Sequence, residues 1–322
     1  MKMRIISSII LIAVVLVALC VPAAPAAQVA AQEDTIRIGM VNYTLCCAYF
    51  IGMSDVVEEE AAFYSNIEMI VTDANGDAAK LTSDVEDVLA QGVDGIIISG
   101  GPLEAAPAAL DAIEAAGVPV VLVDRKLKGG NYTSWIGPDN YTIGVQDGQY
   151  IAERLGGEGR LVVVRGGPED NSIGLDRTNG MLSIVEATNI EVVKAPNFGD
   201  WSEDGGFTVM ADMLAQYDAI DAVFCENDSM CLGAQKAIQD AGRTEEMFLV
   251  GVDGQKEALL QILNGTNYAA TGLNNSDQIG RAAFHRLMAI LAGAAAPQDT
   301  VLPSPVITID NVARFYNPDS VF

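Results

Sequence analysis

Val118-Pro119-Val120-Val121-Leu122-Val123-Asp124-Arg125 and Ala222-Val223-Phe224-Cys225-Glu226-Asn227-Asp228 share one design: an unbroken apolar run stops at a knot of charged and amide groups. Apolar runs without polar alternation are what strands buried on both faces look like, and such strands belong to parallel sheets. In open α/β sheets, ligands bind beyond the carboxyl ends of the strands. The polar knots therefore stand where a ligand is expected. Carboxylate, guanidinium and amide groups together suit a neutral polyol such as a sugar, whose hydroxyls each donate and accept hydrogen bonds.

Outward from these two runs, strand and helix patterns alternate. Residues 36–41 read as a strand, and Phe50, Met53, Val57 and Ala61 mark one helix face. Residues 67–71 form the next strand, followed by the stripe Leu81, Val85, Val88 and Leu89, closed by Gly92 in a helix C-cap. A strand at 96–98 and a helix over 103–116, closed by Gly117, lead back to the first run. The rhythm restarts with strands at 161–164, 190–193, 220–225, 248–252 and near 269, with helices at 181–185, 209–214, after Asp228 and at 257–263. Two βα arrays imply two parallel sheets, each with helices on both faces. Between them, Trp135-Ile136-Gly137-Pro138-Asp139-Asn140 is a Gly/Pro break suited to a crossing strand or hinge.

A chain of 322 residues, half of them apolar, has the length for two domains with sizeable cores. Residues 1–31 stand apart from both. Lys2 and Arg4 precede an apolar run over 5–19, and small residues follow, which is how a secretory signal is built, with cleavage near Ala26 or Ala31. At about 15 residues the run is short of the roughly 20 that span a bilayer. Cys20 directly after the apolar core also opens a route to a lipid-modified amino terminus, although the bulky Leu19 before it fits that processing poorly. The formal charge of −25 argues against a nucleic-acid partner, which would require Lys and Arg to neutralise phosphates.

Beyond the leader lie Cys46, Cys47, Cys225 and Cys231, whose connectivity the spacing leaves open. It supplies no zinc motif. The single histidine, His285, sits among Ile279, Ala282, Ala283 and Leu287 on a helical pattern and reads as a surface or packing residue. Ser-His-Asp and Cys-His chemistries need an imidazole beside the nucleophile, so hydrolase readings lose most of their weight. Gly100-Gly101-Pro102 and Gly166-Gly167-Pro168 follow strands without completing a phosphate-binding loop. Asp73-Ala74-Asn75-Gly76-Asp77 lacks the glycine at position six of a calcium loop and has Asp84 instead of glutamate at position twelve, so it reads as a helix-capping turn. Asp228 likewise reads as a helix cap. No metal or cofactor is expected.

Val123-Asp124-Arg125, Ile136-Gly137-Pro138-Asp139-Asn140, Asp176-Arg177 with Gly180, Phe224-Cys225-Glu226-Asn227-Asp228 with Leu232-Gly233-Ala234, and Val250-Gly251-Val252-Asp253-Gly254 together resemble the periplasmic sugar-binding proteins of the ribose and galactose type. The resemblance covers essentially the whole chain after the leader. It implies the type I periplasmic binding protein fold: α/β, two Rossmann-like lobes with parallel sheets, joined by three hinge crossings near Pro138, Asn274 and Pro305. The first lobe would comprise 35–138 plus 275–305, and the second 139–274 plus 306–322.

That resemblance implies a non-enzymatic, monomeric, exported component of an ABC importer. It would close on one pentose or hexose and present it to a membrane permease, and a chemoreceptor is a further partner of such proteins. Carried over residue by residue, Tyr49 and Phe50 would be aromatic platforms for one sugar face and Trp201 would stack on the other. Asp124 and Arg125 would hold hydroxyls from one lobe, while Arg177, Asn227, Asp253 and Asn274 would do so from the other lobe and the hinge. Three departures stand out. Cys46-Cys47 replaces polar residues, Val252 replaces an aromatic before the Asp-Gly pair, and Asn274 is shorter than the glutamine of ribose binders. The last two would enlarge the pocket or change its polarity.

Two other classes remain in view. A secreted carbohydrate-active enzyme would use two of Asp124, Glu226, Asp228 and Asp253 as acid and base. A repressor's effector domain would share the fold by resemblance, but the export signal and the lack of a helix-turn-helix sequence before Ile36 argue against it.

Overall fold

Two six-stranded sheets with the same winding organise the chain. The computed structural model describes residues 35–101, 103–127, 131–168 and 172–322, so the expected leader and Cys20 lie outside the described residues. The first array runs β1 (Ile36–Asn42), α1 (Ala48–Ala61), β2 (Ile67–Asp73), α2 (Ala78–Ala90), β3 (Gly95–Ser99), α3 (Pro107–Ala116), β4 (Val120–Val123) and β5 (Ser134–Gly137). The second runs α4 (Asn140–Leu155), β6 (Glu158–Arg165), α5 (Ser172–Val185), β7 (Asn189–Phe198), α6 (Glu203–Gln216), β8 (Ala222–Cys225), α7 (Asp228–Asp240), β9 (Phe248–Asp253), α8 (Lys256–Leu263) and β10 (Tyr268–Leu273). Then come α9 (Ser276–Leu291), β11 (Asp299–Val301) and β12 (Val306–Thr308).

The sheet orders are β11-β5-β4-β3-β1-β2 and β12-β10-β9-β8-β6-β7. All pairings are parallel except β10 with β12. In each sheet the strand order reverses beside its first strand, which opens a crevice at the carboxyl ends. The central strands are buried along their whole length in β3, β4, β8, β9 and β10, which explains their unbroken apolar runs.

The chain passes between the sheets three times: after β5, after β10 and between β11 and β12. Each of the first two passages is followed at once by a capped helix. Asp139 Oδ1 accepts from the Thr142 amide at 3.0 Å to start α4, and Asn275 Oδ1 accepts from the Gln278 amide at 2.8 Å to start α9. Leu302 N donates to Gly137 O at 2.9 Å and Leu273 N to Pro305 O at 3.0 Å, so the crossing segments are tied to one another.

The amino ends of the two sheets repeat one device. Arg37 at the start of β1 pairs with Glu68 on β2 at 2.9 Å, and its amide donates to Asp94 before β3 at 2.8 Å. Arg160 on β6 pairs with Glu191 on β7 at 2.9 Å, and its amide donates to Asp221 before β8 at 2.6 Å.

Several expectations are refined. The helix foreseen over 103–116 is a short 3-10 turn at Leu103–Ala105 followed by α3, because Pro107 starts a helix well but cannot sit inside one. Asp77 caps α2, accepting from the Lys80 amide at 2.8 Å, as the capping-turn reading of that acidic stretch requires. His285 pairs with Glu60 of α1 at 2.9 Å and stays about half exposed.

Candidate functional site

The polar groups at the carboxyl ends of both sheets meet in one buried hydrogen-bonded chain. Asp124 follows β4 and Asp253 ends β9; both are buried non-glycine residues with positive φ, 64° and 127°. Such conformations cost on the order of 1–3 kcal/mol each and persist only where surroundings over-determine them. For Asp124 those surroundings are visible: its amide donates to Ile136 O at 3.1 Å, and its carbonyl accepts from Trp135 Nε1 at 3.2 Å.

Tyr49, in the first turn of α1, donates its hydroxyl to Asp124 Oδ1 at 2.8 Å, with Asn274 Oδ1 at 3.1 Å from the same oxygen. Asn274 lies on the second crossing; its Nδ2 donates to Asp253 Oδ1 at 3.1 Å. Arg177 completes the chain. Its Nη2 stands 3.1 Å from Asp253 Oδ1, its Nε donates to Asn140 Oδ1 at 2.9 Å, and its Nη1 donates to the Glu226 carbonyl at 2.6 Å.

Close helix packing puts that guanidinium in place. A Cβ added to Gly144 on α4 would stand 2.0 Å from the Arg177 carbonyl oxygen, so only glycine lets α5 approach there. From that anchor the Arg177 side chain reaches the ends of β8 and β9 while remaining buried.

The electrostatics of this chain follow from burial. Desolvation raises the pKa of Asp253 to about 7, the Arg177 charge opposing it and the Asp228 charge adding to it. Asp124 is raised by burial too, against the Tyr49 hydrogen bond and the Arg125 and Arg177 charges. Burial and the two carboxylates push the Tyr49 hydroxyl well up, so it remains the proton donor of the set.

The aromatic candidates flank this chain. Phe50 packs edge-on to Tyr49 with centroids 5.2 Å apart and lies against Gly100, where an added Cβ would stand 2.9 Å from its ring. Trp201 has φ 58° and lays its indole on Gly166, where an added Cβ would fall 2.2 Å from the ring, and its edge near Gly174. Arg125 is half-buried, lines a small cavity with Gly100 and Gly101, and has its Nε buried without a hydrogen-bond partner.

Two neighbours exchange the roles expected of them. Asn227 is the N-cap of α7: its Oδ1 accepts from the Met230 amide at 2.9 Å and its Nδ2 donates to the Trp201 carbonyl at 3.2 Å. Asp228, expected as the cap, instead accepts from Tyr268 Oη at 2.7 Å and from Thr271 Oγ1, Gly254 N and Gln255 N at 2.8 Å each. It knits β8, β9 and β10 together and has no lone pair left for acid–base work. Glu226 is similarly occupied, by Gly166 N at 2.7 Å and Thr178 Oγ1 at 2.6 Å. Val252 is fully buried in the core with Val250 and Phe248, so it packs the second sheet and does not widen the cleft.

Three contributors escaped the sequence reading. Trp135 and Asn140 stood inside a quoted motif, but nothing local tied them to Asp124 or Arg177. Phe322 closes on Tyr49 from behind, edge-on at 5.3 Å and buried with the first sheet's core, and no local pattern marks it. Among the described residues, no group of three or more His, Cys, Asp or Glu could hold a metal ion.

Comparison with known proteins agrees with this geometry. The family model described as a periplasmic binding protein domain matches residues 38–295. The ribose import binding protein of Bacillus subtilis is 32% identical over 262 residues, covering 81% of this chain and 84% of that protein. A xylitol-binding protein of Mycolicibacterium smegmatis is 30% identical over 297 residues, covering 92% of this chain and 84% of that one. The crystal structure of an ABC transporter solute-binding protein from Mycobacterium smegmatis with bound glycerol superposes with a TM-score of 0.82 at 28% identity, covering 89% of this chain and 99% of that chain. With two like-wound sheets, three crossings and a polar network where the strand ends converge, the chain belongs to the type I periplasmic binding proteins.

Proposed function

We propose that the protein captures a neutral monosaccharide or related polyol between its lobes and delivers it, chemically unchanged, to the permease of an ABC importer. One observation carries this reading: Tyr49, Asp124, Asn274, Asp253 and Arg177, drawn from both sheets and a crossing, form a single buried polar chain. Carboxylates accept from sugar hydroxyls, the guanidinium and amide donate to them, and, counting Arg125 beside Asp124, two guanidiniums balance two carboxylates, leaving no surplus charge for an ionic ligand. Phe50 and Trp201 offer ring faces for the C–H faces of a sugar. Arg125, with a buried donor to spare, would hold a further hydroxyl.

The ligand shifts the lobes toward closure as far as it prefers the closed form. The division into lobes of 35–138 plus 275–305 and 139–274 plus 306–322 is supported by strand membership, since β11 joins the first sheet and β12 the second. Phe322 departs from that division by packing into the first sheet's core. A periplasmic location accords with the family, and the leader at 1–31 would provide export; the working unit is a monomer.

Against an enzyme stands the commitment of the carboxylates: Asp228 has four internal donors, Glu226 one on each oxygen, and Asp124 and Asp253 are engaged by Tyr49, Asn274 and Arg177. Isothermal calorimetry with D-ribose, D-allose, xylitol and myo-inositol, paired with product analysis, tests the reading. Stoichiometric binding without turnover is expected of at least one; silence across a broad monosaccharide panel, or conversion of any of them, overturns it.

A further inference from the structure

The buried run Asp124–Tyr49–Asn274–Asp253 has more contacts than hydrogens to fill them. Three contacts make it up: Asp124 Oδ1 to Tyr49 Oη at 2.8 Å, Tyr49 Oη to Asn274 Oδ1 at 3.1 Å, and Asn274 Nδ2 to Asp253 Oδ1 at 3.1 Å. Each needs one hydrogen between its two heavy atoms to be a hydrogen bond. With both carboxyls ionised, Tyr49 supplies one hydrogen and the Asn274 amide, whose NH2 faces only one of its two contacts, supplies a second. The third contact then sets acceptor against acceptor. Turning the amide over does not remove the conflict, because Nδ2 then serves Tyr49 and Oδ1 faces Asp253. All four residues are buried, where an acceptor without a donor carries its full desolvation penalty.

A single proton on the carboxyl pair satisfies every contact in either amide orientation. On Asp124 it is donated to Tyr49 Oη, whose own hydroxyl turns to Asn274; on Asp253 it is donated to the turned amide. The surroundings hold it there. Burial raises both carboxyls, Asp253 to about 7. Arg177 from α5 and Arg125 beside Asp124 oppose the shift, Asp228 from α7 reinforces it at Asp253, and Asp147 of α4 lies in the field of the same Arg177. Carboxyls joined through one network titrate as a pair.

We propose that the empty site stores one proton shared between Asp124 and Asp253, and that a ligand hydroxyl donating to Asp124 Oδ1 replaces it, so that each sugar captured expels one proton. The ligand's part in this rests on the proposed function. The sugar O–H takes the place of the acid proton at Asp124, Tyr49 is freed to donate to Asn274 Oδ1, Asn274 Nδ2 donates to Asp253 Oδ1, and the proton leaves to water. In the loaded site both carboxylates are ionised and balanced by Arg125 and Arg177, while the sugar itself is unchanged. The empty site binds the proton and the loaded site does not, so affinity is full above the pair's titration and falls below it.

Calorimetry in buffers of unlike ionisation heat counts the protons. With a sugar that binds, close to one proton per sugar should be released at about pH 6 and none at about pH 9, and affinity should weaken about tenfold for each pH unit below about 7. An amide in place of either carboxyl brings the missing hydrogen with it, and Asn accepts the left-handed backbone of position 124 as Asp does. Asp124→Asn and Asp253→Asn should therefore each abolish the release, although the other carboxyl is still present in both. A proton held by the burial of Asp253 alone would survive in Asp124→Asn. Carbon-13 NMR of the aspartate carboxyls reads the same proton without ligand, and so also decides for a variant that no longer binds. The pair should take up one proton with a midpoint near pH 7 in the empty protein, and the remaining carboxyl of either variant should titrate lower by about one unit or more. No release at about pH 6, a release that persists in Asp124→Asn, or an empty protein with both carboxyls ionised at about pH 6 overturns the inference. If no sugar binds the wild-type protein, the functional reading fails, whereas the NMR titration still decides whether the proton is stored.

Discussion

At their amino ends the two sheets are near copies, and at their carboxyl ends they diverge. Arg37, Glu68 and Asp94 in the first correspond to Arg160, Glu191 and Asp221 in the second, with the same backbone and side-chain bonds. At the cleft, the second sheet presents a prebuilt, saturated framework: Arg177 has three partners and Asp228 has four donors. The first presents a looser rim, with an uncapped α1, an exposed Cys46 and an Arg125 donor without a partner. Folding constrains the shared ends alike, whereas the ligand-facing ends divide the labour into a rigid anchor and an adjustable face.

The sharpest way to break this comparison is at the anchor. Arg177→Ala leaves Asp253 buried without its cation, and removing one member of a buried pair costs roughly 3–5 kcal/mol. Chemical denaturation should register a loss of that size together with the disappearance of sugar binding. A change below about 1 kcal/mol would mean that the second lobe's framework is no more rigid than the first lobe's rim.

Next in size is the aromatic wall of the second lobe. Trp201→Ala keeps the same positive-φ backbone strain and removes the indole, so it should weaken calorimetric affinity by roughly 1–3 kcal/mol and also lower the melting temperature, because the indole packs on Gly166, Gly174 and the second lobe's core. Equal affinity would place sugar stacking on Phe50 alone.

A gentler, distributed effect concerns pH. Asp253, raised to about 7 by burial, holds a proton in the folded state that the unfolded chain has already released, and burial shifts Asp124, Glu226 and Asp147 in the same direction. The folded state therefore binds more protons between about pH 4 and 7, and stability falls as pH rises through that window. The melting temperature of the sugar-free protein should increase on acidification from about pH 7 to about pH 5. Asp147 offers a clean dissection, since both its oxygens are buried without partners. Asp147→Asn, neutral throughout, should flatten the curve; an unaltered slope would remove Asp147 from the set.

What could be seen in advance follows the same divide. Strand ends were legible because β4 and β8 are buried on both faces and must be apolar until they meet the cleft. Helix α4 was not, because it packs on α5 through Gly144 and Gly148 and carries the buried Asp147 where an apolar stripe would otherwise show. The exchange of duties between Asn227 and Asp228 was equally hidden. Either residue can cap a helix, and the choice is made by Gly254, Tyr268 and Thr271, far along the chain. The positive φ of Asp124 and Asp253 leaves no mark in local composition, since it is imposed by tertiary contacts such as the Trp135 indole on the Asp124 carbonyl.

The smallest effect tests the likeness itself. Both amino-end ion pairs are largely solvent-exposed, with Glu68 and Glu191 side chains 53% and 59% accessible, so each pair should contribute only about 0.2–1 kcal/mol. Glu68→Gln and Glu191→Gln should therefore lower stability by similar small amounts, both effects fading in high salt as screening grows. The backbone halves of the device should behave differently. Asp94→Ala and Asp221→Ala each strip an acceptor from a backbone amide at the sheet entrance, and matched losses in the two variants would mark the repeat as an energetic equivalence. Unequal losses would show that only the geometry is repeated, with the stabilising burden carried by one sheet.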